Sequence, residues 1–165
     1  MKAAAWSAPV VALAVAAPRA AASENPMFAA IDPFGTDTSQ IFGIQMWDLP
    51  ALPPSEEGDY QGLLVDFCLP EGFVITSVIT PGWDFVNTGD DYEGGDAFVF
   101  NTVAISAGTN TLVDVVIGKD PTLGPVSGTM EADVNVGSTG ILVPTLYWPF
   151  EYGTDGVPIS CGSPL

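Results

Sequence analysis

The sequence predicts an all-β protein, an antiparallel β-sandwich of about seven strands with Greek-key connections. Three observations carry this. With 18 Gly and 15 Pro in 165 residues, few uninterrupted windows of helix length remain after residue 30. β-branched and aromatic residues gather into short runs between turn signals. Several of those runs alternate apolar and polar residues with the period of two that gives a strand one buried face. At 47% apolar and 14% charged residues, the chain has material for one core and too little length for two domains of ordinary size.

Residues 1–22 read as a secretory signal. Lys2 follows the first Met, an apolar stretch runs through residues 10–17, and Ala20, Ala21 and Ala22 supply a small-residue cleavage site. A buried Ala-rich helix is the alternative, which Pro9 and Pro18 oppose. The segment is too short to span a bilayer, and nothing at the carboxyl end reads as an anchor, so no membrane insertion is expected. Residues 23–39 are expected as an irregular N-terminal arm and 40–165 as the single sandwich domain. An extended arm of that kind could complete a neighbour's sheet and drive polymerisation.

Within the domain, residues 40–49 offer a first strand. The next pairs Leu63, Val65, Phe67 and Leu69 against Leu64, Asp66 and Cys68. It ends in Leu69-Pro70-Glu71-Gly72, expected as a type I turn, and residues 73–79 resume extended structure. Thr80-Pro81-Gly82-Trp83 has the order of a type II turn. Residues 97–105 and 111–117 follow, the latter with Val113, Val115 and Ile117 on one side. In 128–136, Met130, Ala132, Val134 and Val136 alternate strictly with Glu131, Asp133 and Asn135, and 141–148 closes the set. The Pro-rich acidic stretch 49–59 cannot supply a central strand. A β-barrel is the competing architecture.

Charge narrows the function. Twenty Asp and Glu stand against three Lys and Arg, with no His, for a net of −17. Loss of Lys2 and Arg19 with the signal would leave Lys119 alone and a net of about −19. Such a surface repels phosphate backbones and anionic lipid, so nucleic acid is excluded as a partner. Without His, neither Ser-His-Asp nor His-ligated zinc chemistry can be assembled. A carboxylate pair could still serve a glycosidase, but a small domain with no Arg for substrate clamps offers little cleft, so no enzyme activity is expected. Adaptation to high salt or the holding of divalent cations would each account for the acidity.

Cys68 and Cys161, the only cysteines, are expected to form one disulfide closing a loop of roughly 90 residues, worth about 4 kcal/mol. Two buried free thiols are the alternative.

The stretch from Gly62 to Gly137 carries a family resemblance. Leu64-Val65-Asp66-Phe67, then Leu69-Pro70-Glu71-Gly72-Phe73, Val78 and Pro81-Gly82-Trp83 come first. Ile105-Ser106-Ala107-Gly108-Thr109 and Ser127-Gly128-Thr129 complete the order, with Met130 where the family's last strand usually begins with Asn. This resembles the immunoglobulin-like conserved-repeat domains of unknown function that recur in bacterial and archaeal surface and secreted proteins. The Trp83 region also looks like the cohesin modules. The resemblance implies an immunoglobulin-like sandwich acting as a noncatalytic extracellular module, and supplies no catalytic residues.

Two sets of residues invite a binding role. Asp90, Asp91, Glu93 and Asp96 lie on a Gly-rich loop and offer hard oxygen ligands for Ca²⁺, although their spacing is not that of an EF-hand and a hydrated hairpin tip is the competing reading. No other cofactor is expected. Tyr147, Trp148 and Tyr152 could contact a ligand or another subunit, or fill the core. The functional expectation is therefore a secreted or cell-surface structural or adhesive protein, self-assembling or bound to other surface proteins. A calcium-dependent module for carbohydrate or protein is the alternative.

Overall fold

A computed structural model describes residues 28–47, 63–106, 108–136, 141–142 and 145–161. The expected signal and the whole Pro-rich connection 49–59 lie outside the described residues. Eleven strands run through what is described: β1 Phe28–Gly35, β2 Ser39–Met46, β3 Leu63–Leu69, β4 Phe73–Val78, β5 Trp83–Asn87, β6 Gly95–Asn101, β7 Thr111–Lys119, β8 Val126–Val136, β9 Ile141–Leu142, β10 Leu146–Tyr152 and β11 Val157–Ser160. They form two sheets, β1-β2-β7-β4 and β10-β8-β3-β6-β5, with β9 and β11 also paired to β8. The architecture is a sandwich, not a barrel. β1-β2-β7-β4 occupies the A-B-E-D places of an immunoglobulin domain and β10-β8-β3 the G-F-C places. β6 and β5 extend that second sheet beyond β3, but the chain visits β4 before them, so the fold is immunoglobulin-like with its own connectivity.

The count exceeds seven for local reasons. Residues 28–35, expected inside an irregular arm, form β1 and pair antiparallel with β2 of the same chain. One edge of this segment is thus paired within the chain's own sheet, as a regular strand where an irregular arm was expected. The register slips between Ile31 and Phe34, where Pro33 has no N–H to give to the ladder. The expected strand 141–148 divides into β9 and a β10 that runs on to Tyr152. The turn after β3 sits one residue later than its sequence suggests. The Phe73 N–H donates to the Pro70 carbonyl at 3.2 Å, and Gly72 takes φ +85° at the third position, which suits a type II turn. Gly82 takes φ +81° in the expected Pro-Gly turn.

Between the sheets lies a core dominated by β10. Trp148 and Tyr152 are fully buried and Phe150 nearly so, against Phe42, Phe67 and Phe73. The Trp148 ring stacks on Phe67 at 5.6 Å, and Tyr152 meets Phe73 edge-on at 5.2 Å. Their polar ends cross to the opposite sheet. Trp148 Nε1 donates to the Gly43 carbonyl at 3.2 Å and the Tyr152 hydroxyl to the Ile117 carbonyl at 2.9 Å. Burial pushes the Tyr152 phenol far up from its ordinary range, so it stays a neutral donor. Lys119, next inward after Val113, Val115 and Ile117, buries its stem and gives Nζ to the carbonyls of Asp120, Leu123 and Gly124 at 3.3, 2.6 and 3.2 Å.

Candidate functional site

The disulfide forms as expected between Cys68 and Cys161, 93 residues apart, with Cα atoms at 5.5 Å. Its place follows from the register. β3 pairs antiparallel with the second half of β8, ending near Glu131, while β11 pairs parallel with Val126 to Thr129. Because β10 holds the other edge of β8 over the same stretch, β3 and β11 share one edge and meet end to end. The disulfide clasps the two carboxyl-terminal strand ends where they meet.

The acidic loop divides. Asp90, Asp91 and Glu93 stay exposed in the β5–β6 hairpin, where the Asp90 N–H donates to Glu93 Oε2 at 3.3 Å and the Glu93 N–H to the Asp90 carbonyl at 2.9 Å. Tyr92 sits at φ +62° and its carbonyl accepts the Gly72 N–H at 2.7 Å, docking the hairpin on the turn after β3. A Cβ on Gly94 would fall 2.5 Å from the Pro70 carbonyl oxygen, so that approach requires glycine. Asp96 leaves this group and enters β6 opposite Cys68. Among the described residues, no three acidic or cysteine side chains stand together in a way that could hold a metal ion.

Of the three aromatic candidates, only Tyr147 faces solvent, at 56% exposure. Trp148 and Tyr152 belong to the core and are unavailable to a ligand or subunit, because alternation along β10 turns residues 148, 150 and 152 inward.

What the sequence does not announce is the outer face of the large sheet. Register places Asp133, Asp66, Phe98 and Val86 in one row across β8, β3, β6 and β5. The next row holds Tyr147, Glu131, Cys68 and Asp96. Asp66, Asp96, Glu131 and Asp133 therefore line one shallow groove of about 190 Å³, with Thr145 donating to Asp133 at 2.7 Å. Partial burial raises the Asp66 carboxyl above its ordinary value, and the neighbouring charges of Asp96 and Asp133 raise it further. Phe98 and Phe100, half-buried, flank the groove on β6. A second cleft, of about 400 Å³, opens between the β1 bulge and β10, lined by Asp32, Pro33, Gln40, Pro149, Phe150 and Glu151. Gln40 Nε2 donates to the Glu151 carbonyl, and Gln40 Oε1, itself shielded from solvent, has no donor among the described residues.

No family model matches the chain, and no curated protein matches its sequence. Among solved structures it is similar to an uncharacterized protein from Nocardia farcinica, described as having an immunoglobulin-like fold. The identity is 19% over 70% of this chain and 80% of that one, with a TM-score of 0.40. The strand order above, rather than that likeness, carries the fold.

Proposed function

We propose that this protein is a noncatalytic extracellular structural or adhesive module that works by surface complementarity. The supporting observation is the outer face of the large sheet. There Asp66, Asp96, Glu131 and Asp133 project from paired strands beside Phe98, Phe100 and Tyr147. Carboxylates spread over a pleated surface suit a broad cationic or hydroxyl-rich partner, with aromatic rings supplying contact area. The groove is too shallow to enclose a small substrate. The disulfide between Cys68 and Cys161 suits an oxidising compartment, in keeping with secretion.

The test is retention of the purified protein on cell envelopes of the organism that makes it. Asp66→Asn/Glu131→Gln/Asp133→Asn should lower retention at least fivefold, while Asp90→Asn/Asp91→Asn should leave it unchanged. Retention insensitive to the triple variant, or release of soluble fragments from the envelopes, would overturn the reading. Saturable Ca²⁺ binding in calorimetry, lost in Asp90→Asn/Asp96→Asn, would instead establish the calcium-dependent alternative.

A further inference from the structure

The outer face of the small sheet is as poor in charge as that of the large sheet is rich. Phe34, Ile41 and Val116 stand side by side across β1, β2 and β7, with Ser77 next on β4. The adjoining row is Ile31, Gly43 and Asp114, and the one beyond it Ala29, Gln45 and Leu112. Phe34, Leu112 and Ile31 are exposed at 62%, 45% and 37%. A Cβ on Gly43 would lie 3.0 Å from the Ile31 Cβ and 3.4 Å from Asp114 Oδ1, so these two side chains close over β2 there and leave a nearly flat surface. Asp114 is the one carboxylate among the described residues of this face. The opposite face carries Asp66, Asp84, Asp96, Glu131, Asp133 and Glu151.

We propose that two copies of this chain pair face to face through the outer surface of β1-β2-β7-β4. This deepens the structural and adhesive reading and rests on it. Charge selects the occupant. A chain of net −17 meets a second copy of itself at a cost set by how many carboxylates face one another, and among the described residues the strands of this surface bring together only the two Asp114 side chains. The one basic side chain among the described residues, Lys119, is buried and held by three carbonyls, so it cannot bridge copies in any other pose. Pairing here also leaves both acidic faces outward, free for a partner. Four strands at about 4.8 Å spacing and seven residues at about 3.3 Å give roughly 450 Å² per copy, so the contact lies at the low end of specific interfaces. The affinity should accordingly be micromolar or weaker, and should rise with salt as residual repulsion is screened.

Sedimentation equilibrium of the full chain from 10 µM to 1 mM, at low salt and at 1 M NaCl, reads this directly. The expected result is a monomer–dimer equilibrium at least tenfold tighter in high salt. Phe34→Glu and Leu112→Glu, at exposed positions that leave the fold intact by circular dichroism, should each weaken it at least tenfold. Asp114→Asn should strengthen it roughly fivefold. A monomer throughout, or a dimer indifferent to Phe34→Glu and Leu112→Glu, overturns the proposal. Envelope retention of the same samples separates the two readings. A monomer that still binds envelopes removes the pairing alone, and a dimer that does not bind removes the adhesive reading alone.

Discussion

Reduction or removal of the disulfide should have both a global and a local effect, and both can be worked from the fold. Closing a loop of 93 residues restricts the unfolded chain by about 4.7 kcal/mol in the loop-entropy model. Locally, β11 has little else to hold it. Its four residues pair only with β8, and Ile159 is its one buried side chain. Burying that side chain contributes up to about 3 kcal/mol, whereas ordering four residues costs about 4 to 8 kcal/mol before hydrogen bonds are counted. The clasp on Cys68 makes docking of β11 an intramolecular event. Cys68→Ala/Cys161→Ala should therefore lose about 3 to 5 kcal/mol in urea unfolding, with melting roughly 10 to 19 °C lower. In the folded variant, amide exchange across Val157–Ser160 should speed up while β3, β7 and β8 remain protected. A loss below about 1 kcal/mol, or unchanged exchange in β11, would refute this account of the clasp.

Two further outcomes follow from single side chains. The Asp66 carboxyl is raised above 3.8, chiefly by burial and then by Asp96 and Asp133, so the folded state binds its proton more tightly than the unfolded chain does. Ionised Asp66 thus opposes folding; the penalty is absent below the unfolded value, grows as pH rises through the folded one, and is complete at neutral pH. Asp66→Asn should raise the urea midpoint at pH 7 and leave it unchanged at pH 3, and equal effects at both would contradict the cause given. Lys119→Met keeps the buried stem but deprives the carbonyls of Asp120, Leu123 and Gly124 of their donor. It should cost about 2 kcal/mol in the same assay, and no cost would mean that water replaces the ammonium without penalty.

The strands were legible where one face is buried and the other wet. β3 and β8 follow their sequence alternation residue for residue, because Leu63, Val65 and Phe67, like Met130, Ala132 and Val134, have nowhere to go but inward. β1 was not legible, since Asp32-Pro33-Phe34-Gly35 breaks the alternation at a bulge that only its partner β2 reveals. Of the acidic groove, Asp66, Glu131 and Asp133 are visible in the sequence as the polar beats of their strands, whereas Asp96 reads as part of the acidic loop. Their convergence is not visible there, because Asp66, Asp96 and Asp133 lie far apart in the chain and register alone brings them together. The run at Asp90, Asp91 and Glu93 is dense in sequence, yet it stays exposed on the hairpin without forming a metal-holding group among the described residues, and only Asp96 continues onto the sheet.

The same registers explain how so acidic a chain keeps a core. Apart from the Lys119 ammonium at one end of β7 and the unpartnered Gln40 Oε1, the polar groups described between the sheets are neutral: the Trp148 indole, the Tyr152 phenol and the amide of Asn101, which accepts from Leu63 N at 2.9 Å and donates to the Val103 carbonyl. The Asn87 amide links the ends of β5 and β4 across the sandwich, accepting the Ile75 N–H at 3.0 Å and donating to its carbonyl at 2.9 Å. These bonds are insensitive to pH in the neutral range and little screened by salt, so the carboxylates outside set surface repulsion without entering the packing. Among the described residues repulsion then has a preferred side, because the outer face of the large sheet carries six carboxylates and that of the small sheet one, Asp114. On the proposed reading, copies would meet through the less charged face and other molecules through the acidic one, and ionic strength would then set how strongly the copies associate.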